Sequence, residues 1–420
     1  MTANTAWPRK RLKYFVDRKT QKAPVGRGSH YVGLENVEPW TGRYLPTEVE
    51  IETESSQFRC GDVLFGKLRP YLAKVYVAQA DGTCTSEMLV LRPREGVLKQ
   101  FLFYRLVSAD FIDLVNSTTF GSKMPRADWE QIGNFSVALP APNEQASVVS
   151  LLDRETSEVD ALIAKKQRLI DLLDEKHDLL ISRAITGGVK LSAPVKNSGQ
   201  PLLGDLPIHW CVKRTKFLFA YVTSGSRGWA EHYSETGPVF LRITNVTRDG
   251  IALYTGDLQR VSVPEGSEGE RTRASAGDLV ISITAWVGAV GIVPEGLGEA
   301  YVSQHLALCR PNTGINPRWL AYALFAQPMR CQFNQMMYGG TKVQLALGDV
   351  KNISVPVPPP DEQNAIATHL DELTRSAQKV KSSILSAIDQ LREYRSAVIT
   401  AAVNGQIDIR EHHKKMETLA

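Results

Sequence analysis

The chain has 420 residues, of which 43% are hydrophobic and 22% are charged, and its formal net charge is +4. This composition predicts a globular protein of two or three domains and excludes a chain that is disordered or coiled coil throughout. No run of about 18 apolar residues is present, which excludes a membrane-spanning helix. The five cysteines form no Cys-x-x-Cys pair, so we expect reduced core thiols in a cytoplasmic protein.

The small basic excess is unevenly distributed along the chain. Residues 1–142 contain 19 basic and 15 acidic residues, and residues 201–360 contain 14 and 12. Residues 143–200 and 361–420 each contain 8 basic and 9 acidic residues. This distribution favours an anionic ligand for the two basic segments and protein partners for the two acidic ones.

Residues 1–142, which we call the first head, predict a mixed domain of strands and short helices. Gly61-Asp-Val-Leu-Phe65 is a turn followed by an apolar run, which is typical of a buried strand. A second strand is predicted at Ser86–Pro93 and an amphipathic helix at Lys99–Val115. A strand at Phe135–Pro142 then runs into prolines. This mixture predicts an α/β or α+β domain.

A long helix is predicted over residues 143–187. Asn143 is placed to cap its first free N–H groups, and Glu144 lies in the first turn, where the helix dipole favours a carboxylate. Gly187 suits the left-handed conformation that ends many helices. About 40 residues at a rise of 1.5 Å give a rod of roughly 60 Å.

The rest of the chain repeats this order. Residues 188–209 are predicted to be a linker, and residues 210–360 a second head. Its strands are predicted at Gly277–Ile281 and Ser303–Pro311 and its helix at Pro317–Met329. A second long helix over 361–405 and a tail over 406–420 complete the chain.

The repeat is in register over the helices and drifts over the heads. Pro142-Asn-Glu-Gln145 recurs as Pro360-Asp-Glu-Gln363, a shift of 218 residues. The opening tryptophans of the heads, Trp7 and Trp210, are only 203 residues apart. The helices therefore have equal lengths while the heads differ in their loops, where binding specificity usually lies.

Each long helix has a near-heptad apolar stripe. The simplest arrangement that buries two such stripes is antiparallel packing of the helices, related by a pseudo-two-fold axis. The predicted helix–helix packing positions are Leu152, Leu162, Leu173, Leu370, Leu373 and Leu391.

The sequence contains no catalytic motif that we recognise. A phosphate-binding G-x-x-x-x-G-K-[ST] loop, a G-x-G-x-x-G run after a strand and a His-Glu-x-x-His pair are all missing. Asp62–Lys67 could suggest a metal nuclease, but its counterpart Asp278–Ile283 has no lysine. We therefore predict a protein that binds without catalysing, with no catalytic residue, metal or cofactor of its own.

The duplicated arrangement resembles the specificity (S) subunit of type I restriction-modification systems, and the chain is HsdS-like in this respect. The resemblance covers residues 7–187 and 210–405. It rests on the repeated order of head, proline-rich strand and long helix. Three segments carry it most clearly, namely Leu139-Pro-Ala-Pro-Asn-Glu-Gln145, its counterpart Val357–Gln363, and the linker Val195–Trp210.

This resemblance implies a function and a set of partners. Each head would be a target-recognition domain that reads one half of an asymmetric, bipartite sequence in double-stranded DNA. The paired helices would set the gap between the half-sites and dock two methyltransferase subunits. Those subunits would bind S-adenosylmethionine and methylate adenine N6, while restriction and translocase subunits would use ATP and Mg. The system would be cytoplasmic, in a bacterium or an archaeon, with no membrane partner.

Polar loops that recur in both heads are the candidates for DNA contact, because Arg, Lys, Gln, Ser and Thr side chains bond to base edges and phosphates. We expect the rings of Tyr71 and Trp286, which lie in these loops, to pack in the core. The candidate residues are Arg27, Ser29, Lys67, Arg69, Ser122, Lys123 and Arg126 in the first head, and Ser226, Arg227, Thr284, Thr341, Lys342 and Gln344 in the second.

Two other functions remain open from the sequence. A duplicated scaffold or adaptor could bind protein partners through its heads. A self-contained methyltransferase or nuclease would have to act without the usual cofactor motifs. Salt-sensitive binding to duplex DNA with a preference for one bipartite sequence separates the specificity subunit from the scaffold.

Overall fold

The computed structural model describes residues 7–24, 30–47, 54–121, 123–189, 193–264, 266–337 and 344–407. The chain divides into two compact units. Unit 1 consists of Met1–Gln167 and Leu385–Ala420, and unit 2 consists of Arg168–Ile384. Both boundaries fall inside the long helices, so each unit combines one head with half of each helix.

The described residues of unit 1 begin with ten short strands and four α-helices, the last of which continues into unit 2. The strands are β1 (Arg9–Arg11), β2 (Val16–Lys19), β3 (Lys22–Pro24), β4 (Tyr31–Val32), β5 (Glu54–Phe58), β6 (Val63–Gly66), β7 (Val75–Val77), β8 (Gly82–Cys84), β9 (Met88–Pro93) and β10 (Ser136–Ala138). The helices are α1 (Lys99–Val107), α2 (Ala109–Asn116), α3 (Trp129–Ile132) and α4 (Pro142–Gly187). The strands predicted near Gly61, Ser86 and Phe135 are thus confirmed.

The central sheet of unit 1 has the strand order β2-β9-β6-β7 and is antiparallel. Val63 and Phe65 of β6 face a core that contains α1 and α2, whereas Leu64 faces a core shared with a second sheet, β3-β5-β8-β4. Both faces of β6 are therefore covered. This is why the strand is apolar throughout and buried at all four positions.

Unit 2 contains the remaining elements, and its last helix returns to unit 1. The strands are β11 (Val195–Asn197), β12 (Asp205–Pro207), β13 (Cys211–Arg214), β14 (Phe219–Ser224), β15 (Tyr233–Leu241), β16 (Gln259–Val261), β17 (Arg273–Ala274), β18 (Leu279–Ser282), β19 (Val290–Ile292), β20 (Ala300–Val302), β21 (Leu306–Pro311) and β22 (Ser354–Val357). The helices are α5 (Ser267–Thr272), α6 (Pro317–Phe325), α7 (Gln327–Met336), α8 (Leu347–Val350) and α9 (Pro360–Val403).

The sheets of unit 2 follow the pattern of unit 1. The central sheet has the order β14-β21-β18-β19, and a second sheet has the order β16-β15-β20-β17. Within β18, Leu279 and Ile281 face the helices while Val280 faces the second sheet. The matching strand orders are consistent with the repeat predicted from the sequence, and β18 and β21 confirm the strands predicted there.

The cysteines only partly match the expectation of core thiols. All five are free. Cys84 in β8 and Cys309 in β21 are buried, and burial raises the pKa of the Cys309 thiol. Cys60 and Cys211 are exposed and Cys331 is intermediate, so these three are not core residues.

The short helices predicted at Lys99–Val115 and Pro317–Met329 are each two helices, which corrects the prediction. The breaks are at Ser108 and Ala326, whose ψ angles of 143° and 146° are extended. In each unit a side chain of a long helix caps the second of the two short helices. The Thr400 hydroxyl accepts from the Ala109 N–H at 3.1 Å, and the Ser182 hydroxyl accepts from the Gln327 N–H at 3.2 Å.

The ends of α4 also differ from the prediction. The helix begins at Pro142, where a proline loses no hydrogen bond, so Asn143 lies inside the first turn and is not the cap. The Glu144 carboxylate instead accepts from the Ala141 N–H at 3.0 Å. At the other end Gly187 is the last helical residue, and Gly188 takes the left-handed conformation at φ 77°.

The glutamine of the repeated Pro-Asn/Asp-Glu-Gln motif ties each long helix to its head. The Gln145 side chain accepts from the Leu98 N–H at 2.9 Å and donates to the Pro140 carbonyl at 2.9 Å. Gln363 repeats both bonds, with the Asn316 N–H and the Pro358 carbonyl at 3.0 Å each. Both glutamines are buried, so the motif has a structural role in both units.

The glutamate of the same motif binds the tryptophan that opens each head. The Trp7 indole N–H donates to Glu144 at 3.2 Å, and the Trp210 N–H donates to Glu362 at 3.0 Å. Each indole ring also lies against a left-handed glycine that follows a long helix, Gly405 in unit 1 and Gly188 in unit 2. In each unit, the tryptophan therefore joins the start of the head to the beginning of one long helix and to the end of the other.

Within each unit the two helix halves run antiparallel. In unit 1, Leu152 shares a core with Ile399, and Asp160, farther along α4, binds Arg395 at 2.9 Å. In unit 2, Asp174 binds Lys381 at 2.6 Å, whereas His177 lies 3.0 Å from Thr374.

The six predicted packing leucines differ in their burial. Leu152 and Leu370 are fully buried, and Leu373 packs at the edge of the unit 2 core. Leu173 and Leu391 are half-buried. Leu162 is 43% exposed, so the structure does not bury it between the helices.

A buried carboxylate closes the turn before the central strand in each unit. Asp62 receives two hydrogen bonds of 2.7 Å from the Arg92 guanidinium and one of 2.8 Å from the Arg59 N–H. Asp278 is bound in the same way by Arg310 and by the Ser275 N–H. Asp62 is therefore part of a structural ion pair, which removes the observation that suggested a metal nuclease.

Candidate nucleic-acid interface

Two of the predicted loops of unit 1 lie side by side where β6 ends. The Arg69 N–H donates to the Pro125 carbonyl at 2.8 Å, and the Ala127 N–H donates to the Lys67 carbonyl at 2.9 Å. A third segment joins them, because the Lys67 N–H bonds to the Glu87 carbonyl at 2.9 Å. These bonds combine three separate stretches of sequence into one surface.

Unit 2 brings its corresponding loops together in the same way. Thr284 and Gln344 form an antiparallel bridge, as Leu68 and Arg126 do at the equivalent place in unit 1. The turn at Gln304 and His305 joins this surface, because the Ile283 N–H donates to the His305 carbonyl at 3.0 Å. The same turn holds the loop at Ser226, whose carbonyl accepts from the Gln304 N–H at 2.9 Å. We call each of these surfaces the loop surface of its unit.

The tip of each loop surface has an unusual backbone conformation. Arg69 has φ 50° and Ala285, at the equivalent position, has φ 53°. Non-glycine residues adopt this left-handed region at a cost of about 1–3 kcal/mol, and such strain is concentrated at functional sites. The two tips share a backbone and differ in the side chain they present, a guanidinium in unit 1 and a methyl group in unit 2.

The loop surface of unit 1 is basic and partly aromatic. Arg69 and Lys123 are exposed, and neither is in an ion pair with another residue that the structure describes. Arg126 is exposed and pairs with Glu87 at 2.9 Å. Tyr71 is 46% exposed and Phe120 is 61% exposed, so the expected core packing of the Tyr71 ring is wrong.

The described residues of the loop surface of unit 2 are polar and include the large aromatic ring of Trp286. Trp286 is 45% exposed, which also corrects the expectation of core packing, and the Arg248 guanidinium lies 5.8 Å from its ring centre. Arg227 is exposed at the neighbouring loop. The Thr284 hydroxyl is 3.0 Å from the His305 imidazole, so these two side chains hold each other in place.

The structure brings together seven of the thirteen candidate residues. Lys67, Arg69, Lys123 and Arg126 share the loop surface of unit 1, and Arg227, Thr284 and Gln344 share that of unit 2. Ser226 is 2% exposed and its hydroxyl lies 2.7 Å from that of Thr272, which leaves it no free group for a base. The others, Arg27, Ser29, Ser122, Thr341 and Lys342, lie outside the described residues.

Three residues of the loop surfaces were missed by the sequence reasoning. Glu87 in unit 1 and Gln304 and His305 in unit 2 lie in the turns just before β9 and β21. The predicted strands at Ser86 and Ser303 included these positions. The signal that could have found them is the common place of both turns, just before strands that end in Arg-Pro.

The chemistry of the loop surfaces suits duplex DNA. Guanidinium, amide, imidazole and hydroxyl groups match the donors and acceptors of base edges, and the unpaired cations suit phosphates. Over the described ranges no group of three His, Cys, Asp or Glu residues could hold a metal ion. In the same part of the chain no helix is long and apolar enough to span a membrane.

Several known proteins with similar sequences are named as specificity subunits of type I restriction enzymes. The family profile described as "Type I restriction modification DNA specificity domain" matches residues 265–390. The chain is 22% identical to the type I restriction enzyme MjaVIII specificity subunit of Methanocaldococcus jannaschii over 340 residues, covering 78% of this chain and 75% of that protein. It is also 22% identical to the EcoKI specificity subunit of Escherichia coli K12, covering 76% and 68%. Its match to the EcoDI specificity subunit covers 36% of that protein.

The fold gives a matching result. A solved chain from a study of complex assembly and conformational transition of the type I restriction-modification system superposes with a TM-score of 0.71 at 19% identity. The superposition covers 97% of this chain and all of the other. The chain therefore resembles the specificity subunits of type I restriction-modification systems in sequence, and a solved chain from such a system in fold.

Proposed function

We propose that this chain is the DNA sequence-specificity subunit of a type I restriction-modification complex, and that its two units read the two halves of an asymmetric bipartite target. One observation carries the proposal. Both units build a loop surface at the same end of the central sheet, with equivalent backbone bridges and different side chains. Two units with the same backbone framework and different side chains are suited to recognising two different DNA half-sites. The relatives named as specificity subunits support the same function.

The outer faces of the long helices are the proposed docking sites for methyltransferase subunits. In unit 2, Leu169, Leu172 and Leu179 of α4 are 46%, 44% and 67% exposed. Their spacings of three and seven residues place them along one side of the helix. Exposed apolar rows of this kind mark sites of protein association. S-adenosylmethionine would be bound by the docked subunits, and ATP and Mg by restriction subunits, with no catalytic group supplied by this chain.

Replacing Leu169 and Leu172 together by serine should weaken methyltransferase binding at least tenfold without unfolding the chain. Both side chains are nearly half exposed, so the two substitutions together destabilise the folded chain little, by about 1 kcal/mol. Analytical ultracentrifugation with the co-expressed methyltransferase would measure the binding. Asp171→Ser, at an exposed position of the same helix that does not face this row, is the matched control. Unchanged affinity in the double variant would show that this row is not the docking site.

The proposed DNA function is tested by sequencing methylated adenines in cells that carry this chain with its methyltransferase and restriction partners. The expected result is one bipartite, asymmetric motif with an unspecified gap. Methylation without any sequence preference would contradict the proposal and favour the scaffold hypothesis. Methylation by this chain alone would instead establish a self-contained methyltransferase.

A further inference from the structure

Each unit carries a second basic surface that the loop surfaces do not include. It lies where the head begins, and it repeats with the shift of 203 residues that separates the two opening tryptophans. We call it the basic patch. Its members are Lys10, Arg11, Lys13 and Tyr14 in unit 1, and Lys213, Arg214, Lys216 and Phe217 in unit 2.

The local backbone is the same in both copies. A short strand, β1 or β13, pairs along one edge only and is followed by a single turn of 3-10 helix. The first residue of that turn, Leu12 or Thr215, is fully buried. Because this residue anchors the turn inward, the cations and the aromatic residue around it lie at the surface, where Lys13 is half-buried and the other members are exposed.

The cations of the basic patch have no charged partner in the described part of the chain. Among the described residues no carboxylate pairs with Lys10, Arg11 or Lys13, nor with the equivalent cations of unit 2. By contrast, Arg92 and Arg310 are held by buried aspartates. Unpaired cations on an ordered strand and turn are free to bind an external anion.

An exposed aromatic ring completes each basic patch. Tyr14 is 60% exposed and Phe217 is 62% exposed. The Lys13 ammonium lies 5.8 Å from the Tyr14 ring centre, and the Lys216 ammonium lies 4.9 Å from that of Phe217. In unit 2 the patch lines an open cleft of about 490 Å³. The ring orients the neighbouring cation through a cation–π contact and adds a flat apolar surface.

The basic patch and the loop surface lie at opposite ends of the central sheet. In unit 1 the patch leads into Val16, which pairs with Pro93 at the end of β9. The loop surface adjoins Met88 at the start of β9, opposite Gly66. A strand of six residues spans about 20 Å, which corresponds to roughly six phosphates along one DNA strand. The patch is therefore too far away to contact the bases that the loop surface would reach.

We propose that the two basic patches bind the phosphodiester backbone of duplex DNA outside the base pairs read by the loop surfaces. The inference rests on the proposed function and adds a sequence-independent site to each unit. The patches keep the same cations in heads whose loops differ, as expected of contacts to a ligand that is the same in both half-sites. The heads also hold the basic excess of the chain, whereas the long-helix segments 143–200 and 361–420 are slightly acidic.

The test uses the full chain and an arbitrary 30-base-pair duplex, because backbone contacts need no target sequence. Fluorescence anisotropy measures the affinity as a function of KCl concentration. The patch variant replaces Lys10, Lys13, Lys213 and Lys216 by alanine. The matched control removes four other exposed cations, through Arg18→Ala, Arg59→Ala, Lys176→Ala and Lys196→Ala.

Each lost phosphate contact lowers the slope of log affinity against log salt by about 0.9. We expect the slope of the patch variant to fall by about three to four and that of the control to change by less than about one. Replacing the same four lysines by arginine should keep the slope of the original chain, since the charge is retained. That rescue shows that a loss in the alanine variant reflects charge and not misfolding.

Equal slopes for the patch variant and the control would overturn the inference. Loss of methyltransferase binding with an unchanged DNA slope would also overturn it and assign the patches to a protein partner. A chain without any salt-dependent affinity for duplex DNA would contradict the proposed function as well. The salt dependence of the original chain therefore tests the proposed function, and the comparison of the patch variant with the control tests the basic patches.

Discussion

Trp210→Ala is expected to lower the free energy of unfolding of unit 2 by about 4 kcal/mol, which is typical for the loss of a buried aromatic side chain. Trp210 is 1% exposed, its ring lies against Gly188, and its indole N–H donates to Glu362 at 3.0 Å. The substitution removes the packing at the start of the head and leaves a cavity. Hydrogen exchange of the slowest amides of β18 measures this loss for unit 2 separately.

Two variants serve as controls for Trp210. Trp210→Phe keeps most of the ring and loses the hydrogen bond, so it should cost clearly less than the alanine substitution. Trp7→Ala removes the equivalent residue of unit 1, which is only half-buried, and should destabilise that unit by less than Trp210→Ala destabilises unit 2. A loss below about 1 kcal/mol for Trp210→Ala would show that the tryptophan does not join head and helices.

Arg92→Ala is expected to lower the free energy of unfolding of unit 1 by about 3 kcal/mol, because it leaves the buried Asp62 carboxylate without its charged partner. Asp62 is 2% exposed and receives both Arg92 bonds at 2.7 Å. Hydrogen bonding to Asp62 also raises the pKa of Arg92. Hydrogen exchange of the β6 and β9 amides reports the stability of this unit.

Arg94→Ala is the matched control for Arg92. Arg94 lies two residues away and pairs with Asp17, and the side chains of this pair are 51% and 37% exposed. An exposed pair of this kind contributes about 0–1 kcal/mol. Equal losses for the two arginines would mean that burial of the carboxylate is not what makes the first pair strong.

Local patterns were sufficient to predict the main strands and the long helices. Apolar runs such as that of β6 indicate a strand covered on both faces. Equal spacing of the repeated motifs predicts helices of equal length, whereas α4 has 46 residues and α9 has 44, because α9 already ends at Val403. The breaks at Ser108 and Ala326 were not predictable, because the apolar pattern continues through them. They depend on caps from Thr400 and Ser182, which are distant in sequence.

The candidate site was predictable only as separate loops. The repeat identified loops at Lys67 and Lys123 and at Thr284 and Gln344, but their adjacency depends on backbone bridges between distant residues. The exposure of individual side chains was predicted least well from the sequence. Tyr71 and Trp286 are exposed although aromatic residues usually pack inside, and Ser226 is buried although it lies in a polar loop. Tertiary packing decides such positions, and one sequence does not show it.

The central claim is that each unit recognises its own DNA half-site through its loop surface. Its most direct test is to compare methylated-adenine motifs for the original chain and for the variant Arg69→Ala, Lys123→Ala, Arg126→Ala, both expressed with their partner subunits. These three side chains lie on the loop surface of unit 1 alone. The account predicts one bipartite motif for the original chain and relaxed specificity in one half only for the variant. Changes in both halves, or an unchanged motif, would contradict it.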